Sequence, residues 1–172
     1  KVEKSERELR QLANAMPQLV WIADSRGNVR YFNNRINEFK GATRKEDGSW
    51  TWEGTIHEED LEGTKQAWAN ALKLETDFER EHRMRLTDGT FKWYLSRSYP
   101  QKNESGEVIS WYGTSTYIHD QKMFEEVLEQ KVIERTEELK VQKEFADTIV
   151  NTSVDLICVY DRDMRVIGFN KA

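Results

Sequence analysis

The sequence has only one cysteine, no long apolar run and no excess of basic residues, and each of these shortages argues against a class of protein. One cysteine in 172 residues cannot form an internal disulfide or a cysteine-based metal site. The longest apolar runs, residues 19–23 and 156–160, are far shorter than a membrane span, and nothing near Lys1 resembles a signal peptide. A net charge of −5 argues against a nucleic-acid-binding face. We therefore expect a cytoplasmic segment with no membrane or nucleic-acid contact.

Motifs for nucleotide and metal chemistry are also missing. The sequence contains no Gly-x-Gly-x-x-Gly and no Gly-Lys-Ser/Thr phosphate loop. His57-Glu58 begins like a zinc-protease motif but lacks the second histidine four residues after the first. We therefore expect no catalytic residue and no metal ligand here, so that this segment is not itself an enzyme.

Alternating runs and turn signals predict an α+β fold. Asp88-Gly89 separates two strand-like runs, and Gly106 precedes a third, because Gly at such turns readily adopts positive φ. Two earlier runs flank a turn at residues 25–28, and a helical pattern over residues 60–74 lies between the two sets. Residues 35–52 are broken by glycine and polar residues, for which we expect short helices and loops. The two runs on either side of Gly106 carry aromatics on both faces, so we expect the N-terminal helix, a partner subunit or both to cover the outer face of the sheet.

Residues 121–150 contain neither glycine nor proline and predict one long helix. A heptad register places apolar side chains at most of the core positions, while Arg135 and Gln142 interrupt the seam. The predicted coiled-coil core consists of Leu128, Val132, Leu139, Ala146 and Ile149. The alternative is a single amphipathic helix that packs on the sheet.

The chain repeats itself at an offset of 137 residues. Residues 12–35 align without a gap with residues 149–172, and the alignment contains six identical pairs. We therefore expect residues 1–16 to be a flanking helix that continues an upstream coiled coil, and residues 151–172 to begin a second, truncated domain. Because an isolated hairpin is marginal in water, we expect these last strands to dock on another surface or to pair with a neighbouring chain.

Residues 9–120 resemble a PAS domain with its C-terminal PAC segment. The most specific part of the resemblance is TDGTFKWYLSRSYPQKNESGEVISWYGTSTYIHDQK, supported by VWIADSRGNVRYFNN and by His57-Glu58-Glu59-Asp60 before the long helix. The resemblance implies a PAS/PAC sensory domain over residues 17–120. It would have a five-stranded antiparallel sheet with helices on one face, an internal pocket, and dimerisation through the flanking helices.

The helix that follows resembles the signalling helix of bacterial sensor proteins. LEQKVIERTEEL carries the signature Glu134-Arg135-Thr136, and residues 121–150 would therefore form a coiled-coil signalling helix. The resemblance implies a sensory module of a multi-domain bacterial protein, a sensor histidine kinase of a two-component system. The alternatives are the sensor input of a diguanylate cyclase, or a dimerisation spacer without a ligand. Any phosphoacceptor would lie outside this segment.

The resemblance also suggests site residues. Where the family's strand usually ends in Asp-Ile-Thr, this chain has Tyr117-Ile118-His119. The residues expected to transmit the signal are Tyr117, His119 and Asp120, together with Glu134, Arg135 and Thr136 of the signalling helix. The candidates for the ligand pocket are Arg80, His82, Met84 and Trp93. The alternative for His82 is a core histidine with satisfied hydrogen bonds.

The resemblance constrains the cofactor without identifying it. Flavin sensors that form a covalent adduct need a cysteine within the domain, and Cys158 lies in the second repeat. Residues 60–74 contain no histidine that could bind haem in the manner of the best-known members. Noncovalent flavin or a small metabolite stays open, and we expect a homodimer together with other domains of the parent protein as partners.

Overall fold

A computed structural model of the protein describes residues 2–152, 154–155 and 157–169, with side chains from residue 7 onward. The chain divides into two compact units, which meet between Lys122 and Met123. In chain order the elements are α1 Val2–Ala15, β1 Leu19–Asp24, β2 Val29–Phe32, β3 Thr43–Arg44, β4 Trp50–Thr51, α2 Glu58–Leu74, β5 Phe78–Arg85, β6 Phe91–Lys102, β7 Val108–Tyr117, α3 His119–Thr152, β8 Cys158–Tyr160 and β9 Val166–Phe169.

Seven strands of the described chain form one antiparallel sheet in the order β3-β4-β2-β1-β7-β6-β5. The α+β class is confirmed, but the expected number of five strands is wrong. The five longer strands are those expected, whereas the two-residue strands β3 and β4 lie in the stretch predicted to be helices and loops. They form because Trp50 pairs with Val29 and Arg44 pairs with Trp50, which are contacts that the local pattern does not encode.

The inner face of the sheet holds an aromatic core against α2. Trp68 of α2 lies in edge-to-face contact with Trp21, Phe78 and Trp111, with ring centroids 5.2–5.5 Å apart. Trp111 is 1% exposed. Gly113 leaves room for the Trp21 ring, because a Cβ at Gly113 would lie 2.2 Å from it. This packing fixes α2 over the centre of the sheet.

The outer face of the sheet remains exposed in this chain. Tyr99, Ile109 and Tyr112 are each about half exposed. Helix α1 does not cover them, and its own Leu9 and Leu12 are more than 60% exposed. The part of the prediction that assigned this cover to the N-terminal helix is therefore wrong. Cover by a partner subunit stays a prediction.

The second unit contains most of α3 and a hairpin formed by β8 and β9. The hairpin repeats the pairing of β1 with β2 at the offset of 137 residues: Trp21 pairs with Phe32 as Cys158 pairs with Phe169, and each hairpin has its irregularity one step later. Residues 153, 156 and 170–172, on which parts of the predicted repeat fall, lie outside the described residues.

The turns of the two hairpins also agree. Asp24 Oδ1 accepts hydrogen bonds from the backbone N–H groups two and four residues later, at 3.0 and 2.9 Å. Asp161 Oδ1 accepts the equivalent pair, both at 2.9 Å. Gly27 and Met164 have φ angles of 85° and 63°, so both turns use the left-handed region at the same position. The two sequences therefore encode the same local geometry.

Candidate functional site

A cavity of about 60 Å³ lies between the inner face of the sheet and α2. Its lining is mainly apolar and includes Leu19, Trp21, Phe32, Ile56, Trp68 and Met84. The polar residues of the lining are Thr55, Thr64, His82, Ser96 and Ser115. An apolar cavity with a few polar groups on its wall is the usual form of a small-molecule site.

Four of the five polar residues of the wall form one chain of hydrogen bonds across four elements. His82 Nε2 lies 3.0 Å from Ser96 Oγ, which lies 2.6 Å from Ser115 Oγ. On the other side of the ring, His82 Nδ1 lies 3.3 Å from Thr64 Oγ1, which donates to the backbone oxygen of Asp60 at 2.8 Å. The chain therefore links β7, β6 and β5 to the first turn of α2.

His82 is 3% exposed, and this burial lowers its pKa to about 4. The nearby Asp60 carboxylate opposes the shift, while Arg80 adds to it. The imidazole is therefore neutral near pH 7, with one ring nitrogen that donates and one that accepts.

An ion pair continues from Asp60 to the outer side of β5. Arg83 donates from Nε to Asp60 Oδ2 and from Nη2 to Asp60 Oδ1, both at 2.8 Å, and its backbone N–H also donates to Oδ2. Glu59 Oε2 accepts a further bond from Arg83 Nη2 at 2.8 Å. These bonds to Arg83 hold the pKa of the Asp60 carboxyl below its ordinary value.

Trp93 connects this ion pair to the beginning of α3. The Arg83 guanidinium lies 5.3 Å from the centre of the Trp93 ring, and Lys122 Nζ lies 5.2 Å from it. Both distances fall within the range of a cation–π interaction. Lys122 also forms an ion pair with Glu81 on β5. The Trp93 ring thus contacts one cation from the sheet and one from the helix.

Three of the residues predicted to transmit the signal lie where β7 meets α3. Tyr117 donates from its hydroxyl to Asp120 Oδ1 at 2.8 Å, a bond that raises the pKa of Tyr117. The Tyr117 ring packs edge-to-face on Tyr94 and on His119, with centroids 5.6 and 6.1 Å apart. The contacts of Tyr117 with His119 and Asp120 join β7 to the first turn of α3.

The three residues of the predicted helix signature make only local bonds along α3. Arg135 donates to Glu138 Oε2 at 2.7 Å, Thr136 donates to the Val132 oxygen at 2.7 Å, and Glu134 accepts from Gln130 at 3.2 Å. All of the predicted coiled-coil core residues are exposed in the single chain, namely Leu128, Val132, Leu139, Ala146 and Ile149. Their role in a coiled coil stays a prediction.

The structure separates the four candidates for the ligand pocket. His82 and Met84 line the cavity, whereas Arg80 and Trp93 are not part of its lining. Arg80 lies over α2, where a Cβ on Gly63 would be 2.5 Å from its guanidinium. Trp93 lies beside Arg83, its partner on the neighbouring strand.

The hydroxyl groups of the cavity wall were not predicted from the sequence. Ser96 and Ser115 pair directly across β6 and β7, and Ser96 shares one side of β6 with the buried Tyr94 and Ser98. A signal for Ser96 was therefore present, because a small polar residue recurred on the apolar side of an alternating strand. The same kind of signal was present for Thr64, a small polar residue that shares the buried, apolar face of α2 with Trp68 and Ala71.

The described residues show little sign of other kinds of site. No group of three His, Cys, Asp or Glu side chains in that part of the chain could hold a metal ion. Among the described helices, none is long and apolar enough to cross a membrane. Cys158, an exposed free thiol, belongs to the second unit.

Two known proteins are similar to this chain in sequence. The uncharacterized protein y4lL of Sinorhizobium fredii is 34% identical over 121 residues, which are 70% of this chain and 14% of the relative. The peroxide stress-activated histidine kinase mak1 of Schizosaccharomyces pombe is 31% identical over 145 residues, which are 77% of this chain and 9% of the relative. The chain thus spans only a small part of either relative.

A similarity to a solved structure and a family model address the fold. The crystal structure of a sensory box histidine kinase/response regulator from Burkholderia thailandensis superposes with a TM-score of 0.53 at 21% identity, covering 77% of this chain and 98% of that chain. The family model described as PAS fold matches residues 29–115, about half of the sequence. With its central sheet, its long α2 and the cavity between them, the chain belongs to the PAS family.

Proposed function

We propose that this PAS sensory domain detects a small molecule in the cavity and passes the change to α3. The observation that carries the proposal is the continuous path from the cavity wall to the helix. It runs from His82 through Thr64 and Asp60 to Arg83, and then through the Trp93 ring to Lys122. A bound molecule that displaces His82 or Thr64 alters the first turn of α2, where Asp60 holds Arg83. The altered Arg83 changes the cation–π contact that Trp93 shares with α3.

The output of the parent protein is a second part of the proposal. Similarity to a fission-yeast histidine kinase favours a sensor histidine kinase of a two-component system. A diguanylate cyclase is the alternative output, and an acceptor histidine or a Gly-Gly-Asp-Glu-Phe-type motif in the parent sequence separates the two. The apolar residues exposed along α3 favour a homodimer that pairs this helix with its copy.

A ligand-free dimerisation spacer remains the competing function for this domain. It predicts a core filled by the protein's own side chains. The apolar cavity favours the sensor instead, because it leaves space beside a chain of buried hydroxyl groups.

Cutting the path inside the core tests the proposal. Thr64→Val keeps the side-chain shape but removes the hydroxyl that links His82 to Asp60. We expect amide hydrogen exchange in the first turn of α3, residues 119–122, to become at least about threefold faster, since exchange reports local opening. In a chain that already carries Trp93→Leu, the addition of Thr64→Val should no longer change this exchange, because the ring that connects Arg83 to Lys122 is missing.

Thr116→Val is the matched control, because Thr116 lies on β7 and is not part of the path. We expect it to leave exchange at residues 119–122 unchanged. If Thr64→Val alters exchange only within α2 and β5, the cavity is not coupled to α3 and the sensory proposal is wrong.

A further inference from the structure

We infer that the cavity selects small, uncharged molecules that donate a hydrogen bond, and that Ser115 Oγ accepts that bond. The inference rests on the proposed function, in which the cavity is the sensory site. It follows from the direction in which each hydroxyl of the wall must point.

The direction is fixed at Thr64. The Thr64 hydroxyl has one proton, which it gives to the Asp60 carbonyl oxygen at 2.8 Å, because a carbonyl can only accept. The contact between Thr64 Oγ1 and His82 Nδ1 therefore requires a proton on Nδ1. Since neutral imidazole carries one N–H, His82 Nε2 is an acceptor.

The acceptor at His82 Nε2 also fixes the direction of the two serine hydroxyls. Ser96 Oγ lies 3.0 Å from His82 Nε2, so Ser96 gives its only proton to the ring. Ser115 Oγ lies 2.6 Å from Ser96 Oγ, so Ser115 in turn gives its proton to Ser96. The last hydroxyl of the chain therefore offers only lone pairs to a molecule in the cavity.

Thr55, the other hydroxyl of the lining, has the same character. Its Oγ1 donates to the Trp52 carbonyl oxygen at 2.7 Å, so its proton is also used within the protein. Every hydroxyl group on the described wall can accept a bond from a ligand while its own proton is engaged. A ligand whose polar group only accepts would find no free hydroxyl proton on this wall, and an acceptor left unpaired is costly in a buried site.

The wall also excludes charged ligands. Among the described residues that line the cavity there is no Asp, Glu, Lys or Arg. Burial keeps His82 neutral, with a pKa of about 4. An ion in this cavity would lose its hydration without gaining an opposite charge, a large penalty.

The size of the cavity limits the ligand further. A volume of about 60 Å³ corresponds to roughly four to six water molecules at about 10–15 Å³ each. The matching class is a compact alcohol or N–H compound with a similar number of heavy atoms and an otherwise apolar surface.

A matched pair of probes tests the selectivity. Pyrrole and furan are uncharged five-membered rings of nearly the same size, but only pyrrole has an N–H donor. Binding can be followed in the full chain through the methyl resonance of Met84, which lines the cavity. We expect pyrrole to bind about tenfold more tightly than furan, the ratio that one additional buried hydrogen bond supplies.

Two serine variants on β7 locate the acceptor. In Ser115→Ala we expect the affinity for pyrrole to fall at least about fivefold, because its N–H group loses its acceptor and the next acceptor, Ser96 Oγ, lies 2.6 Å from the lost one. The affinity for furan, which donates no hydrogen bond, should change less than twofold. Ser110→Ala is the control, because Ser110 bonds to Gln101 and is not part of the lining. It should change neither affinity.

The outcomes separate this inference from the proposed function. If furan binds as tightly as pyrrole, the donor rule is wrong although the cavity is still a ligand site. If neither probe shifts the Met84 resonance, the ligand class is wrong, and the proposed function is then decided by the Thr64→Val exchange experiment, which uses no ligand.

Discussion

At the scale of single residues, the central feature is a buried histidine whose two ring nitrogens both have partners. His82 is positioned by β5, and its partners come from α2 and β6. The sequence was compatible with both a core histidine and a pocket residue at this position. The structure gives His82 the properties of both, since it has satisfied hydrogen bonds and also lines the cavity.

This arrangement predicts how stability depends on pH. In the folded chain, burial lowers the pKa of His82 from 6.5 to about 4, so below pH 6.5 the unfolded chain binds the proton more readily. The stability that the neutral His82 contributes is therefore fully present above pH 6.5 and is lost as the pH falls toward 4. From about pH 7.5 to about pH 5 the loss due to His82 should be about 2 kcal/mol of unfolding free energy.

The measurement is urea denaturation of the wild type and of His82→Gln at both pH values. His82→Gln lacks the titrating group, so its loss over this range should be smaller by about the predicted 2 kcal/mol. Equal losses in both proteins would mean that His82 is not held neutral by burial.

What could be predicted about single side chains depended on which face of a strand they occupy. His82 and Met84 alternate with the outward residues of β5, and their inward position followed from that pattern. The role of Trp93 could not be inferred, because β6 carries aromatics on both faces. Only the register that pairs Trp93 with Arg83 shows which contacts it makes.

At the scale of elements, the long strands and helices were predictable because each carries its own periodicity and turn signals. Asp88-Gly89 and residues 103–106 do lie at the ends of long antiparallel strands. Strands β3 and β4 were not predictable. Two residues are too few to show a period, and these strands exist only because β2 offers a free edge to Trp50.

Helix α3 leads to a prediction about assembly. Leu139 occupies a core position of the proposed coiled coil and is 55% exposed in the single chain. Leu139→Glu places a charge at the seam of a dimer, so we expect sedimentation equilibrium to show mainly monomers at concentrations where the wild type is dimeric.

Val141→Glu provides a closely matched control. Val141 is similarly exposed, at 57%, but it lies outside the core positions of the same heptad. It should leave the dimer intact while making the same change in charge. If Leu139→Glu remains dimeric, the exposed outer face of the sheet becomes the better candidate for the dimer interface.

At the scale of the whole chain, one hairpin occurs twice in different surroundings. In the first unit, β1 pairs with β7 as well as with β2. In the second unit, β8 and β9 form a sheet of two described strands, and Val159, Tyr160, Val166, Ile167 and Phe169 are each at least 46% exposed. The same local geometry is thus buried in one place and open in the other.

We expect hydrogen exchange to distinguish the two hairpins. Amides of β8 and β9 should exchange rapidly in dilute protein, because an isolated hairpin is marginal in water. Their exchange should slow as the protein is concentrated, if these strands dock on another chain as the sequence suggests. The amides of β1 and β2 serve as the internal reference and should not depend on concentration. Rapid exchange of β8 and β9 at every concentration would contradict the docking prediction.

The two copies of the hairpin agree in the geometry of the turn but differ at the position that lines the cavity in the first copy. Both copies keep the aspartate that organises the turn and the left-handed backbone three residues after it, at a glycine in the first copy and a methionine in the second. At the position where the first copy has Trp21, which lines the cavity, the second has Cys158. The same turn geometry therefore does not depend on the side chain that lines the cavity in the first copy.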